Sequence, residues 1–277
     1  MGSWPSQAYR EGPVPLTRTR QRGEPLADTW EEVVMRVLLR SLLLGLMCLG
    51  IPDSARAQGV NLSWGDCGVN GTTAQTFACD ANSGAPLALV GSFVPPSGMN
   101  EFLGLAAQID ICTTTPTFID WWAHGTGRCR GTGALSTSFD FTSGPFSCVD
   151  FFAGQAAGGY AYDVSFGSAD RARLRIQCAI QVDSRGLVDP SNEYYAFRVN
   201  INRTKSTGAG SCAGCSIPAC ITLTSIQLFQ PLEAAHDPEL SRPIDRNFVQ
   251  WQVGVPNCPS GIPAVNSSWG KIKNLYR

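Results

Sequence analysis

The side chains most able to do chemistry in this chain crowd into one stretch, Asp120-Trp-Trp-Ala-His-Gly-Thr-Gly-Arg-Cys-Arg-Gly131. A flat indole face beside an acid, an imidazole and a guanidinium is the composition of a carbohydrate platform: the ring covers the sugar's apolar face and the polar groups hold its hydroxyls. Trp121, Trp122, His124, Asp120 and Arg128 are therefore the candidate ligand-binding residues. Adjacent tryptophans on a strand point to opposite faces, so one ring is expected in the core and the other at the surface. Packing of both rings under the Gly-rich loop is the plainer reading of the same residues.

A catalytic set is harder to assemble. Glycoside hydrolysis needs two carboxyl groups ~5–10 Å apart, and no spacing singles out a pair among Glu101, Asp110 and Asp120. The chain contains no Gly-x-Ser-x-Gly, no His-Glu-x-x-His and no phosphate-cradling Gly-Lys-Ser/Thr loop. The 2 histidines leave little for acid–base work. No catalytic residue is assigned, and no cofactor or metal is expected. Asp183-x-x-Gly186-x-x-Asp189 lacks the dense oxygen ligands of a calcium loop and reads as a turn.

Cysteines form the second group. Of the 11, ten follow residue 57: Cys67, Cys79, Cys112, Cys129, Cys148, Cys178, Cys212, Cys215, Cys220 and Cys258. Cys212-x-x-Cys215 with Cys220 offers three sulfurs in one loop, yet the second knuckle of a zinc site is missing. A redox Cys-x-x-Cys opens a helix beside a βαβ unit, and no such pattern surrounds it. Disulfides are the preferred reading, with all ten cysteines paired. Local pairing suggests Cys67 with Cys79, Cys112 with Cys129 and Cys148 with Cys178, leaving Cys258 to tie the tail to the 212–220 cluster.

That reading depends on export, for which the N-terminal part provides a signal. Arg36 and Arg40 precede an apolar run over residues 41–51, followed by the small-residue pattern Ala55-Arg56-Ala57. The run is shorter than the ~20 residues that span a bilayer. Residues 35–57 are expected to be a signal peptide, 1–34 an extension upstream of the true start, and 58–277 a single domain. The mature chain is expected to be extracellular or periplasmic, without a membrane span.

The elements that must position these residues are strands. In residues 171–182, Ala172, Leu174, Ile176, Cys178, Ile180 and Val182 alternate with Arg171, Arg173, Arg175, Gln177 and Gln181, a strand with one wet face. Residues 195–201 alternate likewise, and the turn-rich stretch between them suggests an antiparallel pair. Arg171, Arg173 and Arg175, with Arg198 on the neighbouring strand, then form a basic stripe; Asp163, Asp170 and Glu193 are its expected partners. Further strands are expected at 60–64, 87–94, 103–112, 135–141, 148–152, 160–166, 221–229 and 248–255. A slip of phase between Leu223 and Ile226 predicts a β-bulge.

About ten strands with no helical period between them predict an all-β protein: an antiparallel, jelly-roll-like β-sandwich, disulfide-stabilised, with a short C-terminal helix over 267–276. A net charge of -1 argues against a nucleic-acid partner. The function expected is a non-catalytic, exported interaction module of surface, matrix or adhesion type, partnered by a glycan or a cell-surface protein. The alternative is a carbohydrate-binding or carbohydrate-active protein centred on residues 120–131.

Overall fold

Alternation of apolar and polar side chains becomes strands throughout the residues that the computed structural model describes, 59–99, 101–234, 236–242 and 247–254. In chain order they are β1 Val60–Trp64, β2 Ala74–Gln75, β3 Leu87–Phe93, β4 Glu101–Phe102, β5 Gly104–Thr113, β6 Leu135–Ser138 and β7 Ala157–Val164. There follow β8 Arg171–Ala179, β9 Gly186–Leu187, β10 Tyr194–Ile201, β11 Ala219–Phe229, β12 Glu239–Leu240 and β13 Asn247–Trp251. The helices among the described residues are single 3-10 turns. The expected helix over 267–276 lies outside the described residues.

The strands form two main sheets. One has the order β1-β3-β10-β6; the other runs β2-β13-β11-β5-β8-β7, with β12 beside β11, and β4 and β9 make a small ribbon apart. Pairing is antiparallel except where β2 joins β13. The chain crosses between the sheets at most connections, the wrapping of a jelly-roll-like sandwich. Between them lies one apolar core: Leu62, Leu89, Phe93, Val199 and Ile201 from the smaller sheet meet Ile109, Ile111, Leu174, Ile176, Ile221, Leu223 and Val249 from the larger. The expected bulge is present, as a register shift between Leu223 and Ser225 opposite β5.

Two neighbours in sequence prove not to be neighbours in space. β8 belongs to the larger sheet and β10 to the smaller, so the predicted hairpin between them does not form. Both strands bury one face, and closing a sandwich needs such faces on opposite sides of the core. Arg198 is thereby removed from the arginine row. It donates to the Gly144 carbonyl and lies 4.9 Å over the Phe141 ring on the outer face of the smaller sheet. Phe141 in turn stacks on Tyr195 at 4.2 Å, and the Tyr195 hydroxyl donates to Asp66 at 2.9 Å.

Residues 148–152, expected as a strand, keep only one bridge, Val149 to Tyr194. The tie of Cys148 to Cys67 holds them across the outer face of the smaller sheet. The basic stripe is neutralised on the larger sheet. Arg173 grips Asp110 in a fork, Nε to Oδ1 at 2.6 Å and Nη2 to Oδ2 at 2.8 Å. Arg175 pairs with Asp163 at 2.5 Å and Arg171 with Asp170 at 3.9 Å. Glu193 is elsewhere, accepting from Asn61 and Ser92.

The cysteines pair across the fold and not along the chain. Cys67 bonds Cys148, Cys79 bonds Cys215 and Cys129 bonds Cys212, closing loops of 81, 136 and 83 residues. All three local pairings are thus replaced. Cys178 shows why: its side chain faces the core between the sheets, whereas Cys148 lies outside the smaller sheet. Cys178 remains a buried thiol, so the ten cysteines are not all oxidised. Burial pushes that thiol up to about 12. Cys220 is disulfide-bonded as well; the expected tie involving Cys258 lies outside the described residues.

Candidate functional site

Asp120–Trp122 is a 3-10 turn and not a strand. The Ala123 N–H donates to the Asp120 carbonyl at 3.1 Å, and the Trp121 N–H to Ala213 at 2.9 Å. With about three residues per turn, consecutive side chains no longer alternate between two faces. Both rings consequently enter the core, Trp121 at 1% exposure and Trp122 at 0%. Trp121 stacks on Trp251 at 4.6 Å, and Trp122 meets it edge-on at 5.3 Å. Trp64 and Phe77 close the other side of Trp251. Neither Trp121 nor Trp122 has a face to offer a sugar, and that part of the platform reading falls.

The remaining candidates divide. His124 is buried beside Trp122 and Tyr162, with ring centroids 6.2 and 5.2 Å away. Asp120 and Arg128 are exposed and stay apart from the buried cluster. The arginine that joins the cluster is Arg130, missed in the sequence although only two positions from Arg128. A parallel bridge pairs it with His124, which draws both side chains under the loop between them. Its guanidinium lies 4.1 Å over Trp121, and Nη2 donates to the carbonyl and side-chain oxygens of Asn202.

Burial and the neighbouring Arg130 lower the His124 pKa to about 3, so the imidazole is neutral. Arg130 itself is lowered to about 10, chiefly by burial, and remains a cation. Burial raises Tyr162 well above its usual value, and its hydroxyl donates to the Trp122 carbonyl at 2.7 Å.

The cysteine cluster explains how this end is held. Cys212 fastens the 123–131 loop through Cys129, and Cys215 fastens the 76–86 connection through Cys79. Lys205 Nζ donates to the Cys129 carbonyl at 2.7 Å, while Trp251 Nε1 donates to that of Cys215 at 2.8 Å. Cys212 and Cys215 are oxidised in separate bridges, so neither is a thiolate ligand or half of a redox pair. Asp189, in the discarded calcium loop, accepts from the Ser191 N–H and hydroxyl.

A second feature lies across the larger sheet, at its β7 edge. A shallow groove there is lined by Ala157, Gly159, Ala161, Arg175, Gln177 and Phe229, among others. Tyr160 and Tyr162 pack inward, so Gly159, Ala161 and Asp163 fall on the outer face beside Gln177, Arg175 and Arg173. Gly158 must be glycine, since a Cβ would sit 2.1 Å from the Gln177 carbonyl. Gly159 carries no such restriction: nothing lies within 4 Å of its would-be Cβ. β7 has β8 on one side and no strand on the other among the described residues.

The chain matches no known family and no curated protein. Among solved structures it is similar to ACE19, the collagen binding subdomain of the Enterococcus faecalis surface protein ACE. That likeness has 10% identity, covers 64% of this chain and 92% of that one, and reaches a TM-score of 0.22. At such a score the likeness carries no functional argument.

Proposed function

We propose that this protein is an exported, non-catalytic interaction module that binds an extended segment of a surface or matrix protein along the β7 edge. The observation that carries the reading is that edge. It is eight residues long, Ala157-Gly-Gly-Tyr-Ala-Tyr-Asp-Val164, largely solvent-accessible and without proline, lysine or bulge. Edge strands are ordinarily blunted by such devices, because their unpaired N–H and C=O groups template a further strand. Strand addition uses those groups for affinity and adjacent shallow pockets for side-chain choice. Gly159 and Ala161 let another backbone approach closely.

Two further observations support the reading. Disulfides of this number persist in oxidising compartments, in keeping with the expected signal peptide over 35–57 and a mature chain outside the cytoplasm. On the larger sheet's outer face, Asp110 and Asp163 are committed to arginines. The glycan alternative has lost its aromatic platform at 120–131.

The test is a binding screen of the purified protein against arrays of surface proteins, matrix proteins and glycans. Gly159→Lys and Ala161→Glu place charge on the groove without entering the core. Binding to a protein, lost by at least about tenfold in both variants with unchanged melting temperature, supports the reading. Glycan binding that both variants retain, or self-association through β7 with no other ligand, overturns it.

A further inference from the structure

Arg130 is the one fully buried lysine or arginine among the described residues, and no described carboxylate pairs with it. Asn202 occupies Nη2, and the face of the guanidinium rests on Trp121. The Nε and Nη1 groups find no acceptor, and neither does the Trp122 indole N–H. Both His124 ring nitrogens are likewise without a partner. Trp121, by contrast, is satisfied through its bond to Ser206 at 3.2 Å.

An unpaired buried polar group costs ~1–3 kcal/mol, and more when charged. These five atoms belong to three residues held together by the Trp122–His124 ring contact and the His124–Arg130 bridge, and buried groups of this kind call for a partner. Their chemistry says which kind. Nε, Nη1 and the indole only donate, and a neutral imidazole adds one more donor and a single acceptor. The cluster is therefore rich in donors, carries one positive charge and offers a single acceptor. A water molecule donates as often as it accepts and leaves that imbalance standing; an anion accepts only.

The enclosure sets the size. Arg130 and Trp122 are 0% exposed and His124 is 3% exposed, so a carboxylate on a larger ligand has no path to them. We propose that Arg130, Trp122 and His124 form a buried site for one halide-sized inorganic anion, which supplies the counter-charge of Arg130. The site lies against the inner face of β7, where Tyr162 packs on His124 and donates to the Trp122 carbonyl, and the groove lies on the outer face of the same strand.

The experiment uses the full chain, prepared in gluconate buffer and then titrated with chloride or bromide at constant ionic strength. The expected result is a saturable rise in melting temperature. Crystals soaked in bromide should show one anomalous peak within hydrogen-bond reach of Arg130 Nε or Nη1 and Trp122 Nε1. Trp122→Phe keeps an aromatic side chain and removes the indole N–H, so half-saturation should move up by about tenfold. Ordered waters alone at these atoms overturn the proposal. So does an adventitious ion only: a bromide peak with no saturable effect in solution. Should Trp122→Phe fail to fold, the bromide position and the titration of the unaltered protein decide.

Discussion

His124 is a histidine kept from its proton. Its folded pKa of about 3 lies below the ordinary histidine value of 6.5, so the unfolded chain takes up the proton first as pH falls. The stabilisation is complete above about pH 6.5 and is lost progressively from there towards pH 3. The slope approaches ~1.4 kcal/mol per pH unit. Melting temperatures between pH 7 and 4.5, measured in gluconate so that no halide offsets the charge, should fall for the natural protein. His124→Phe should flatten that part of the profile, because the window lies above the range in which ordinary carboxylates titrate. Parallel curves for the two proteins would remove His124 as the cause. The same residue illustrates why an imidazole beside tryptophans is poor evidence of catalysis: burial has taken its basicity away.

Among the elements, β8 carries the clearest chemical division. Its inward row, Ala172, Leu174, Ile176 and Cys178, fills the core, while Arg173 reaches over the outer face to Asp110 on β5 and to Phe166, 4.0 Å from its guanidinium. The fork raises the Arg173 pKa above its usual value, first through the hydrogen bonds to Asp110. The pair is only partly exposed, at 23% and 11%, so it is screened less than a surface ion pair. Asp110→Ala should therefore cost ~1.5–3 kcal/mol, read as a drop in the urea midpoint with unchanged slope. Arg175 and Asp163 are more exposed, at 55% and 43%. Asp163→Ala should cost less than ~1 kcal/mol. Equal losses in the two variants would contradict this ordering.

For the whole molecule, the three described bridges join loops or fasten loops to sheet faces, and the core between the sheets is apolar without them. A chain of this size buries enough surface to hold a sandwich together unaided. Reduction should consequently leave the far-UV strand signal largely intact. Protease cutting should rise in the loops that Cys212 and Cys215 fasten, residues 123–131 and 76–86, and in the 204–218 loop that carries both cysteines. Collapse of the strand signal on reduction, at a temperature where the oxidised protein is stable, would show the core to be insufficient alone.

Local alternation determined much of this protein before any contact was known. The one-sided burial of 171–179, the strand at 60–64 and the slip after Leu223 are all readable, because a strand's period of two places each residue by parity alone. Parity says nothing about which sheet a strand joins. Parity therefore pairs β8 with β10, although their buried faces lie on opposite sides of one core. Nor does spacing announce a 3-10 turn, and the turn at Asp120–Trp122 sends both indoles inward where alternation sends one out. Cys129 meeting Cys212, and Arg130 lying under His124, follow from loops that converge at one end of the sandwich. Periodicity is a property of neighbouring residues; pairing, burial of charge and the exposed β7 edge belong to the closed fold, which alone decides which residues face water and which face each other.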